Sequence, residues 1–152
     1  MILFKEKVKQ FYSEILNTKV NTLRKQQDDL KESLLLETKS TAGDKYETSR
    51  AMLHMEQENI AVQLVVLLQQ KAILDSIDVT ENLPPANIQF GSLIKTNKGF
   101  IFLAVALGKA LIEDQNVFAI SPASPLGKLL MGKKINEKVN IQTNCYEIET
   151  IC

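Results

Sequence analysis

Helix-breaking residues are almost missing from the first half of the chain. Between Met1 and Asp78 there is one glycine, Gly43, and no proline. Such a stretch leaves little room for tight turns and favours long helices. Cysteine is scarce (Cys145 and Cys152) and His54 is the lone histidine. That excludes a dense disulfide framework and a Cys/His zinc site built from this chain alone. No long hydrophobic run exists: the longest, Phe100 to Leu107, has eight residues, against the roughly 20 needed to span a bilayer. Charge of one sign is not in excess, since 18 basic residues balance 18 acidic ones, so no bulk field argues for indiscriminate adhesion to nucleic acid or membrane. The opening Met1-Ile2-Leu3-Phe4-Lys5-Glu6-Lys7 turns charged too early for a signal-peptide core. These absences point to a cytoplasmic protein with reduced thiols, no membrane segment, and one or two small domains in its 152 residues.

The distribution of breakers then divides the chain. From Glu81 onward there are five glycines and all four prolines. The change falls at Asn82-Leu83-Pro84-Pro85-Ala86-Asn87, where tandem prolines stop a helix and stiffen a connector. We therefore expect a helical domain over 1–80, a linker over 81–87 and a second domain over 88–152. In the first, Leu16, Val20, Leu23, Gln27, Leu30 and Leu34 follow steps of four and three, and after Gly43 the residues Tyr46, Leu53, Ile60, Leu67 and Leu74 recur every seventh position. Met52 and Met55 are expected to pack beside that seam. Two such helices joined by a short link bury their seams as an antiparallel hairpin, here with its tip near 40–47. Arms of about 35 residues would reach on the order of 50 Å. Pairing of the seams between chains is the alternative, so the free protein is expected to be a monomer or weak dimer.

The second half alternates short apolar runs with turn signals. Residues 88–95, 99–107, 117–121, 139–142 and 146–151 read as strands, and Ala104 to Ile112 is open between strand and helix. Ser124-Pro125-Leu126-Gly127-Lys128-Leu129-Leu130-Met131-Gly132 reads as a short helix with Ser124 as N-cap, Pro125 at the first position and Gly132 as the stop. A small sheet on that helix would bury Phe90, Phe100, Phe102, Leu126 and Leu130. The fold class is α+β.

The most informative segment lies at the helical reversal, Gly43-Asp44-Lys45-Tyr46-Glu47. Asp44 and Glu47 are three apart, so on a helix their carboxylates share a face. One reading is a capping box at the helix start, favoured also by the helix dipole; the other is a pair of carboxylates held rigidly for a metal ion. Both can be true together.

Here the sequence resembles the Gre family of bacterial transcript-cleavage factors, which carry Gly-Asp-x-x-Glu at the tip of a long antiparallel coiled coil and a Ser-Pro…Gly-Lys segment in an FKBP-like second domain. This chain matches with Gly43-Asp44-Lys45-Tyr46-Glu47 and with Ser124-Pro125 through Gly132-Lys133. The resemblance implies binding to RNA polymerase, with the coiled coil in its secondary channel and the second domain docking through the positions of Ser124, Pro125, Lys128, Gly132 and Lys133. It also implies that Asp44 and Glu47 share a catalytic Mg²⁺ with the polymerase beside the 3′ end of backtracked nascent RNA, with no cofactor in the free protein. After the Glu the family continues Asn-Ala-Glu/Asp-Tyr, whereas this chain has Thr48-Ser49-Arg50-Ala51. The missing third acid and the positive Arg50 leave a second expectation open: a relative that occupies the channel without cutting RNA. A coiled-coil scaffold unrelated to transcription is a third.

Lys128, Lys133, Lys134 and Lys138 form a basic cluster, either a partner surface or a solvated face. His54, on the second helix, reads as structural or surface. No phosphate-cradling glycine loop and no nucleophile–base pair are present, and an FKBP-like topology gives no warrant for prolyl isomerase activity.

Overall fold

The structure, a computed structural model, describes residues 1–38, 43–81 and 83–152, with all of their side chains except those of 37, 38 and 43–46. It contains α1 (Ile2–Thr38), α2 (Gly43–Asp75), β1 (Leu93–Thr96), β2 (Gly99–Leu103), β3 (Gly108–Ile112), β4 (Gln115–Ile120), α3 (Pro125–Leu130), β5 (Lys138–Ile141) and β6 (Asn144–Ile151). The chain forms two compact units, one of residues Ile15–Lys71 and one that combines Met1–Glu14 with Ala72–Cys152. The α+β expectation, a pair of long helices followed by a small sheet domain, matches this element order.

In the helix-pair unit, Val20 and Leu30 of α1 pack with Ile60 and Leu64 of α2, flanked by Leu23, Leu53 and Leu67. The helices run antiparallel: a groove beside residues 18–23 of α1 is lined on the other side by residues 62–67 of α2, whereas Ser33 lies near residues 49–59. Val20, Leu30 and Ile60 fall on the expected heptads and Leu64 lies four residues beyond Ile60, because apolar side chains three and four apart form one stripe that a facing helix can cover. Met52 and Met55 are a correction. They are 66% and 65% exposed, since the covered stripe of α2 runs through Leu53, Ile60 and Leu64, and positions one before and two after Leu53 turn away from it.

In the other unit a six-stranded sheet has the order β3-β4-β2-β1-β6-β5. Neighbours are antiparallel except β2 and β4, which pair in parallel across the β3 excursion. The central strand β2 is buried on both faces, as its run Phe100-Ile101-Phe102-Leu103 requires. On one face Ile94, Ile101, Leu103, Ile148 and Ile151 pack with Leu130 of α3 and with half-buried Leu126. The opposite face receives the start of α1: the Phe4 ring lies 4.8 Å from Phe100, and Tyr12 stacks on Phe102 at 6.5 Å. The buried Tyr12 hydroxyl donates to the carbonyls of Gly108 (2.9 Å) and Val117 (3.3 Å). Burial pushes its pKa from 10.0 up to about 12, and a hydrogen bond with the Ala119 backbone pulls the other way.

Several expectations change in detail. Phe90 is 40% exposed rather than buried, because residues 89–92 form a turn, closed by Ser92 N–H to the Gln89 carbonyl (3.0 Å), and the first strand starts only at Leu93. β2 stops at Leu103, where the Ala104 N–H donates to the Ile120 carbonyl (2.8 Å) and the chain leaves the ladder. The open stretch 104–112 ends in a strand, β3.

Candidate functional site

Glu47 lies in the opening turns of α2 and is exposed, as is Thr48, while Ser49 and Arg50 are half-buried. Asp44 is three residues earlier in the same helix, and its side chain falls outside the described residues, as does the reversal at 39–42. α2 starts at Gly43, so Asp44 is itself a helical position. A capping box with Asp44 as cap does not coincide with that start, which places both acids inside the positive end of the helix dipole. Carboxylate oxygens there are the donor type a hard divalent cation takes, and two of them leave most of the coordination shell to other molecules. Among the described residues, no group of three or more His, Cys, Asp or Glu side chains is arranged to hold a metal ion.

The second candidate region is built on α3. Ser124 is its N-cap: the Oγ accepts from the Gly127 N–H (3.0 Å) and donates to the Ser121 carbonyl (2.6 Å), so its hydroxyl is engaged within the loop. Pro125 occupies the first helical turn, where a missing N–H costs nothing. Gly132 follows the Met131 C-cap with φ +79°, the left-handed conformation that ends helices and favours glycine. Gly127 is required by packing: a Cβ there would lie 2.1 Å from the Ser121 carbonyl oxygen and 2.8 Å from Ser124 Oγ. The Gly132 N–H and the Lys133 carbonyl both pair with Ile88 at 2.8 Å, tying the segment to the stretch that leads into β1.

This frame presents Lys128 in the last turn of α3 and half-buried Lys133 just after it. Of the expected basic cluster, Lys133 pairs with Glu137 (3.6 Å) and Lys138 with Glu147 (3.8 Å), which reduces the local positive field. The segment also exposes Leu129 (43%), Met131 (42%) and Ile135 (45%). The sequence alone shows lysines and a helix in the segment but not this apolar surface; the available signal was the four-residue spacing of Leu126 and Leu130, which turns Leu129 away from their shared face.

Elsewhere, Cys145 is exposed and Cys152 buried, both free, and His54 is exposed on α2. Among the described residues, no helix is long and apolar enough to cross a membrane.

No family model matches the chain, and no curated protein matches it. Among solved structures it is similar to the transcription factor Gfh1, at 17% identity over 91% of this chain and 92% of that one, with a TM-score of 0.36. It is similar also to GreA factor homolog 1 of Thermus thermophilus (18% identity, 92% and 94% coverage, TM-score 0.35) and to Gfh1 of Thermus aquaticus (17%, 91% and 92%, 0.34). Identities and TM-scores this low decide nothing about family or activity.

Proposed function

We propose that this chain is a Gre-like transcription elongation factor that acts on RNA polymerase in the cytoplasm. The reading rests on one observation: an acidic pair at i, i+3, Asp44 and Glu47, opens the second helix of an antiparallel pair directly after the reversal, with Glu47 exposed. In this reading the helix pair enters the secondary channel and brings both carboxylates to the polymerase centre. There they complete the oxygen ligands of a Mg²⁺ whose chemistry is to stabilise charge on the phosphate oxygens during cleavage of backtracked RNA. The chain supplies ligands and their rigid spacing, and the polymerase supplies substrate and remaining ligands, so little cleavage is expected from the free protein. The α3 segment docks the sheet unit, which we read as the FKBP-like domain. Ser124, Pro125 and Gly132 set its shape, and Lys128 and Lys133 meet acidic polymerase surface beside the exposed Leu129 and Met131.

The experiment is cleavage of RNA in stalled, backtracked complexes of purified polymerase, comparing the parent with Asp44→Asn and Glu47→Gln. Each substitution is expected to slow cleavage at least about tenfold with binding retained, as loss of one ligand from a shared metal site does. Equal activity of both variants and the parent would end the assignment of the acids.

Arg50 favours a second reading. It places a cation three residues beyond Glu47, within reach of it on a helix, where the family pattern has an acid. A regulator that occupies the channel without cutting would bind polymerase and leave the RNA length unchanged.

A further inference from the structure

We draw no further inference here: the strongest candidate, the exposed apolar face of α2 that carries Met52, Met55, Val62 and Val66, supports no proposal because nothing in the structure shows what covers it.

Discussion

Tyr12 shows how much one side chain in α1 contributes to the sheet. Its ring is fully buried against Phe102, and its hydroxyl hydrogen-bonds to carbonyls 96 and 105 residues away in sequence. Tyr12→Phe keeps the ring and leaves those carbonyls without this donor, so the variant is expected to be less stable by about 1–2 kcal/mol at neutral pH, measured by urea unfolding. The same group predicts a pH dependence. Its folded pKa is raised, so the folded state holds the proton more tightly; the contribution is complete below the unfolded value of 10.0 and is lost as pH rises through about 12. The stability gap between parent and variant should therefore shrink across that interval, and a gap independent of pH would contradict the burial of the hydroxyl. Nothing in the sequence marks Tyr12, because its partners lie on strands far along the chain. Ser124, Pro125 and Gly132 were legible because capping, the fixed φ of proline and left-handed glycine act within a single turn of helix. Glu47 was legible as an acid near a reversal; the purpose of Gly127 was not, since it depends on the approach of the Ser121 carbonyl.

Helices and strands differ in how openly they declare themselves. The seam of α1 follows a strict heptad, and its positions are the covered ones: Leu16, Val20 and Leu30 are buried, and Leu23, Gln27 and Leu34 half-buried. In α2 the repeat through Leu53, Ile60 and Leu67 is equally plain in the sequence, but buried Leu64 lies off that repeat and Met52 and Met55 fall outside the covered face. That helix is apolar on two sides, so periodicity alone could not say which side α1 would cover. The contrast can be measured. Ile60→Ala, at 4% exposure, is expected to cost about 2–5 kcal/mol, while Val62→Ala two residues on should shift stability by no more than about 0.5 kcal/mol in dilute protein. Thermal unfolding followed by far-UV circular dichroism compares them, and equal losses would mean the two faces are misassigned. Among strands, β3 was the uncertain one for an identifiable reason. It joins β4 through Glu113 and Asp114, both at positive φ (49° and 61°) with Ile112 opposite Gln115, the two-residue turn that usually advertises itself as Asn-Gly or Asp-Gly. A Glu-Asp pair in those positions gives no such signal.

The order of residues along the chain is not the order of the compact units. The helix-pair unit, Ile15–Lys71, is inserted within the other, which takes its first 14 residues from α1 and resumes at Ala72. Composition changes near Pro84 and Pro85, and it could not report this arrangement because α1 runs through Glu14 and α2 through Ala72 with no breaker at either place. Lys9 of α1 donates to the carbonyls of Asp75 and Ile77 (3.3 and 2.6 Å), which brings the two stubs together in the sheet unit. Replacing Ile15–Lys71 by a short glycine-containing link between Glu14 and Ala72 is therefore expected to leave a cooperatively folded sheet unit with dispersed amide resonances. A collapsed spectrum would show that the insertion is needed for its folding.

The insertion also has a bearing on how the polypeptide acquires its structure during synthesis. Phe4 and Tyr12 leave the ribosome early, yet the rings they pack on, Phe100 and Phe102, are translated some 90 residues later. The inserted hairpin has both of its arms in hand well before that and can close first. The leading segment must then wait, with aromatic side chains uncovered, for its platform to emerge, and that interval is when a nascent copy is most exposed to chaperones and to its neighbours on the same message.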